Sequence, residues 1–349
     1  MANTVRELEA RLTSRRLPLL LCVLSSISLF SCHTSDDAAA AAKQLATTST
    51  DLANYYSALS QIVAADISLG NLQNSLLPHA EVLPFPDANR ALLNTTSSEL
   101  QKRADIAKSL QELSAAFSNL TGSTAPTDVS TAASKLGTEL NTLKALPPLT
   151  GSPISVPSAI GDAGKLIVSL IQQHEEKKVA PALDATVTAL KELFSKETDV
   201  YDSLNQTYLT TAASLAKYCI TKNMVDETSV LAPALQPFSL TAHLPSGADT
   251  AQLKTAADTQ VDESSKVLVA AYQKASAAML QAITEMSTRI HQLATEGRMP
   301  SRGAPVDLAT VENWIATSST YLSGGSTNAA SATASAAFTT PTSAKKPKK

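Results

Sequence analysis

The chain has 349 residues and a formal net charge of −3, with 28 Lys and Arg against 31 Asp and Glu, a balance that leaves no basic footprint for nucleic acid. Only 4% of its residues are aromatic and 11 are glycine, whereas Ala, Leu, Ser and Thr dominate; this argues against sandwiches and barrels and for helices. Of three cysteines, Cys22 and Cys32 lie in the first 32 residues and Cys219 far downstream; with the first two spent on processing, Cys219 is left without an intrachain disulfide partner.

The first 32 residues carry an address. Arg6, Arg11, Arg15 and Arg16, diluted by Glu7 and Glu9, precede an apolar run from Leu17 to Phe30. A spanning helix needs about 20 apolar residues, so this run is too short and has the flanks of a signal peptide. Its ending, Leu29-Phe30-Ser31-Cys32, resembles the lipobox of bacterial lipoproteins, with Leu at −3, a small residue at −1 and Cys at +1. Phe30 at −2 departs from the usual small or aliphatic residue.

The resemblance covers residues 1–32 and is to a processing class. It implies a diacylglyceryl group on the Cys32 sulfur, cleavage before Cys32 and acylation of the new amine. A thiolate is a good nucleophile toward a lipid donor, and two or more chains anchor stably where one holds only marginally. His33, not Asp, follows Cys32; the resemblance therefore implies passage to the outer membrane, facing the periplasm, rather than retention at the inner membrane. Loss of residues 1–31 takes four arginines and two glutamates with it and moves the charge from −3 to −5.

Residues 32–43 read as a lipidated tether. The first helical stretch covers 38–77: Leu45, Leu52 and Leu59 recur every seven residues, as do Tyr55, Ile62, Leu69 and Leu76, with Asp66 and Gln73 interrupting the first track. Pro78, Pro84 and Pro86 end it. A second helix is expected over 87–120, with a seam of Ile106, Leu110, Leu113, Phe117 and Leu120, stopped by Gly122 and Pro126. A third, over 127–146, presents Val129, Leu136, Leu140 and Leu143. The proline-rich stretch 147–157 reads as a loop. Residues 160–179 read as a buried helix with an apolar run at 166–171, too short to span a bilayer.

Residues 181–222 show the clearest period, with Val187, Phe194, Tyr201, Tyr208 and Leu215 spaced by seven and flanked by Leu183, Leu190 and Leu204. Pro181 opens or kinks this helix. After an irregular connection over 223–248, Asp249 is placed to cap a helix reaching Glu296. Its seam is Tyr272, Met279, Met286 and Leu293, with Val269, Ile283 and Ile290 beside it. A last helix over 306–322 offers Leu308, Val311, Ile315 and Leu322, with Trp314 alongside. From Ser323 the chain is Gly, Ser, Thr and Ala with a Lys-rich tip, and reads as a disordered tail.

Long helices with a seven-residue period, joined by proline-rich loops, imply an all-α, elongated antiparallel helical bundle with coiled-coil-like heptad seams. The bundle is expected to be one domain over 44–322, with the tail at 323–349.

The sequence shows no chemistry. None of the five histidines, His33, His79, His174, His243 and His291, has a Glu three residues before it, which disfavours a ferritin-like di-metal site. His-Glu-x-x-His, Cys-x-x-Cys and glycine-rich phosphate loops are absent from the sequence. The run His174-Glu175-Glu176-Lys177-Lys178 reads as a solvated face, and Cys219 as a small buried hydrophobe. Three sequons begin at Asn94, Asn119 and Asn205. Tyr55, Tyr56, Tyr201, Tyr208 and Tyr272 read as core residues whose hydroxyls reach the edge, with a ligand groove as the alternative.

Neither a catalytic, a cofactor-binding nor a metal site is expected; the site residue is Cys32. The leading expectation is therefore a non-enzymatic, lipid-anchored envelope protein acting as a scaffold or interaction module for a protein partner. A ligand-binding lipoprotein with an apolar groove between helices is the alternative. A membrane-remodelling or pore-forming protein, suggested by the run 166–171, is the third.

Overall fold

A computed structural model describes residues 42–76, 85–118, 125–144, 179–226, 235–240, 243, 250–296 and 308–322. The leader, Cys32, the stretch 145–178 with its apolar run, Asp249 and the tail from Ser323 lie outside the described residues. Those described are 94% helical and contain no strand. The helices are α1 (42–76), α2 (Asp87–Ser118), α3 (Ala125–Lys144), α4 (Val179–Thr221), α5 (Ala251–Glu296) and α6 (Ala309–Leu322). With 43 residues in α4 and 46 in α5, each runs about 65–70 Å at 1.5 Å per residue. The elongated all-α bundle expected from the heptads is the observed fold.

Directions follow from which residues meet. As α4 climbs from Asp184 through Thr188 and Lys217 to Asn223, their partners on α5 descend from His291 through Ser287 and Asp262 to Lys254. These two helices are antiparallel along almost their whole length. α2 returns along α1: Ser60 Oγ lies 2.9 Å from Ser97 Oγ, and Asn74 bonds Phe85. α1 and α4 run the same way, since Tyr56 meets Tyr201 and, further along both, Asp66 lies near Tyr208. α6 follows that direction too, placing Trp314 against Tyr55 and Tyr321 against Tyr208. Of the helices consecutive in the described chain, α1–α2, α4–α5 and α5–α6 pair antiparallel, and α3 packs on α2, with Lys135 bonded to Glu112.

The heptad stripes make the core. Leu45, Leu52, Leu59, Tyr55 and Ile62 of α1 are buried against Leu100, Ile106, Leu110 and Leu113 of α2 and Val187, Phe194 and Tyr201 of α4. Tyr272, Met279, Ile283, Met286 and Ile290 of α5 close the other side, with Val311 and Trp314 of α6. The stripes weaken toward the later turns of α1 and α4, where Leu69, Leu76, Leu204 and Leu215 are only half-buried and Leu72 is exposed; Leu293, at the opposite end of the bundle, is half-buried as well. Asp66, which interrupts the α1 track, is nonetheless buried. The side chains of Phe117, Leu120, Val129, Leu140 and Leu143 lie outside those described.

Helix ends correct several details of the sequence reading. Pro126 does not stop α2; it sits in the first turn of α3, where its missing N–H has no intrahelical acceptor to lose. Pro181 is likewise in the first turn of α4 and leaves that helix continuous. The α5 cap falls at Thr250, whose carbonyl accepts from the Lys254 N–H at 2.9 Å. α4 ends at Asn223, whose φ is 55°. The Met224 N–H reaches back to the Cys219 carbonyl at 2.8 Å and the Asn223 N–H to that of Ile220 at 3.2 Å, a Schellman closure with Asn in the left-handed position. Cys219, expected to be buried, is half-exposed in this last turn.

Candidate functional site

The largest concentration of polar and aromatic groups lies at mid-height in the core and starts from two adjacent residues of α1. Tyr55 and Tyr56 are 100° apart around the helix, so they serve different neighbours. Tyr55 faces α5 and α6, with ring centroids 6.3 Å from Tyr272 and 5.1 Å from Trp314. Tyr56 faces α4, 5.8 Å from Tyr201. Phe194 lies between them, 5.5 Å from Tyr55 and 6.1 Å from Tyr56. Such edge and tilted contacts add about 0.5–1.5 kcal/mol per pair beyond area burial.

The hydroxyls do not reach the edge, as the sequence suggested, but bond inside. Tyr55 and Tyr272 share a hydrogen bond of 2.8 Å between their hydroxyls. The Tyr201 hydroxyl donates to Glu197 on the preceding turn of α4. Burial, and after it the neighbouring Tyr56 and Glu197, push the Tyr201 hydroxyl well above its ordinary range, so it stays a proton donor.

Beside the tyrosines sits a buried ion pair that the sequence reading missed. Arg103 of α2 donates from Nε and Nη2 to the two Glu197 oxygens at 2.9 and 2.6 Å, and from Nη1 to the Glu99 carbonyl at 3.1 Å. Both side chains are almost fully buried. Burial works against the Arg103 charge, but the hydrogen bonds and charge of Glu197 outweigh it and hold the guanidinium above its usual range. The signal was present in the sequence only as spacing: Arg103 falls one turn before Ala107 on the buried face of α2, and Glu197 falls midway between Phe194 and Tyr201.

The core holds further acids. Asp51, Asp66 and Glu99 are buried, Asp202 is half-buried, and burial raises the carboxyls of all four. For Asp51 the value is about 6, with the like charge of Glu312 as a second cause. Asn205 is fully buried and neither its amide nitrogen nor its oxygen has a hydrogen-bond partner. The sequon at Asn205 is therefore closed to glycosylation in the folded chain, whereas Asn94 is exposed.

This arrangement can hold helices together. The five tyrosines are packed against one another and against Phe194, Trp314 and Tyr321 rather than lining an open groove. A shallow depression of about 160 Å³ between Gln44, Leu45, Met286, Arg289 and Ile290 lies away from them. Among the described residues no cluster of His, Cys, Asp and Glu could hold a metal ion, and no helix is long and apolar enough to cross a membrane. His291 bonds Asp184 through Nδ1 at 2.9 Å on the surface, and His243 is exposed. His33, His79, His174 and the proposed lipid site Cys32 lie outside the described residues.

A second feature is a matter of placement. Among the described residues, the exposed large apolar side chains are Leu72, Leu92, Met224, Val225, Phe238, Leu240 and Val267. Leu72 is near the end of α1, Leu92 near the start of α2, and Met224 and Val225 follow α4. Phe238 and Leu240 lie in the connection from α4 to α5, at the 3₁₀ turn Gln236–Phe238. By the helix directions, Leu72, Leu92, Met224, Val225 and Val267 belong to the half of the bundle away from the start of α1, and Phe238 and Leu240 fall in the connection that leaves and re-enters the helices at that end. No protein-family model matches this chain, and neither a curated protein nor a solved structure does.

Proposed function

We propose that the chain is a non-enzymatic, lipid-anchored scaffold of the bacterial envelope that presents the far end of its helical bundle to a protein partner. The observation that carries the reading is the separation of two ends. α1 begins at residue 42, a short tether after Cys32 in the Leu29-Phe30-Ser31-Cys32 sequence that resembles a lipobox. The exposed apolar side chains gather toward the other end, on the order of 60 Å away along α4 and α5. Apolar side chains gathered in one region of an otherwise polar surface mark interaction sites. With His33 after Cys32, the anchor belongs in the outer membrane, the bundle reaching into the periplasm.

Two measurements test this. A fatty-acid analogue fed to cells is expected to label the wild type and not Cys32→Ala; equal labelling of both removes the anchor. A photo-crosslinking residue placed at Phe238 is expected to trap one discrete envelope protein in intact cells, whereas the same residue at Lys43, exposed at the start of α1, does not. Identical adducts from both positions would mean that the far end has no special role.

A further inference from the structure

α6 is 14 residues long and docks through Val311, Trp314 and Ser318. A helix of that length is marginal in water on its own, so it is held by what it covers. At its docking site, one turn before Tyr55, lies Asp51 of α1. It is 7% exposed, and its Oδ2 has no hydrogen-bond partner. The group facing it from α6 is another acid, Glu312. No charged group of α4 or α5 acts on it beside Glu312, and α1 itself places Thr47, Thr48, Asn54 and Tyr55 one turn to either side, none of them charged. Among the described residues no cation faces Asp51.

We propose that α6 is an acid-tightened latch: its docking over Asp51 is favoured while that carboxyl holds a proton and loosened once it ionises. The protonated group is neutral and tolerates burial. The ionised group is a buried charge with no cation, facing a like charge, and undocking α6 returns it to water. Burial first and Glu312 second raise the Asp51 carboxyl from 3.8 to about 6. Docking is therefore tightest at and below the ordinary carboxylate range, weakens as pH rises through about 6, and is level above it. With the ordinary value fully restored on undocking, a gap of about two pH units sets an upper bound of about a hundredfold on the change in the docking equilibrium over the full range, of which about tenfold falls between pH 5 and 7.5. Loosening uncovers the faces of Tyr55 and Tyr272 that Trp314 covers.

The chain supplies its own reporter, because Trp314 is its single tryptophan and sits 5.1 Å from Tyr55 and 5.2 Å from Tyr272. Hydrogen-exchange protection factors of α6, corrected for intrinsic rates, and acrylamide quenching of Trp314 are read on the whole chain at pH 5 and 7.5. We expect α6 protection about tenfold lower at pH 7.5, with greater quenching. In Asp51→Asn both readouts are expected to stay at their pH 5 values, with unchanged circular dichroism. Glu312→Gln is expected to keep the transition but move its midpoint to lower pH. Equal α6 protection at the two pH values in the wild type overturns the proposal. So does a dependence that survives in Asp51→Asn, which would assign it to another group. Loss of the helical signal in Asp51→Asn also overturns it, because the carboxyl would then be required rather than merely tolerated.

Discussion

Glu197 accepts two hydrogen bonds from Arg103 and one from Tyr201 in a site closed to water. Removing Arg103 alone therefore strands a buried carboxylate. Arg103→Met is expected to cost about 3–5 kcal/mol, and adding Glu197→Leu is expected to recover most of it, because a buried pair is often no better than well-packed apolar residues. Urea unfolding of the two singles and the double checks this. A single substitution costing under about 1 kcal/mol would mean that water reaches the pair. Asn205 makes the same point from the other side. With no partner for either amide atom, it weakens the core where it stands, and its polarity resists burial in any other packing of α4.

Among the elements, α1 is central, since its residues meet α2, α4, α5 and α6. Near its end the chain turns back sharply. Phe85 both donates to and accepts from the Asn74 side chain, at 2.7 and 3.1 Å. This lays the Phe85 ring over Gly70, where a Cβ would meet ring carbons at 2.5 Å. Glycine inside a helix is ordinarily about 1 kcal/mol worse than alanine, so Gly70→Ala should stabilise an isolated α1. In the folded chain it is expected instead to lower the melting temperature by displacing Phe85. A rise in melting temperature would show that the ring moves aside freely. The turn also fixes the direction of α2, which begins with the Pro86 carbonyl accepting from Asn89 and Arg90.

At the scale of the whole molecule the buried charges are unbalanced. Asp51, Asp66, Glu99 and Glu197 are buried, against Arg103 alone among the described Lys and Arg. Asp51, Asp66 and Glu99, and Asp202 at the core's edge, have carboxyls raised chiefly by burial. A raised carboxyl means that the folded chain keeps a proton which the unfolded chain has already released. Stability is then greatest at the acid side and falls as pH rises from the ordinary carboxylate range through about 6, the Asp51 value. Urea midpoints are expected to be higher at pH 5 than at pH 7.5. A higher midpoint at pH 7.5 would mean that these acids are paired or solvated in solution.

The heptad spacing by itself determined the described helices, their approximate limits and the apolar face that each one buries. A seven-residue apolar stripe has one low-energy solution, packing against other such stripes, so Leu45, Leu52, Val187, Phe194, Tyr201 and Met279 were legible as core. Partners were not legible, because a stripe specifies a face and not what it meets. Only the tertiary structure brings Arg103 to Glu197, 94 residues apart, and Tyr55 to Tyr272, 217 apart. The same holds for Asp66, which broke the sequence pattern yet is buried, and for Asp51, which is buried with the like charge of Glu312 on α6 acting on it. Burial of a polar side chain depends on the neighbour that arrives, and the gathering of exposed apolar residues depends on helix direction. Both are set by packing between segments distant in the chain, which local periodicity does not encode.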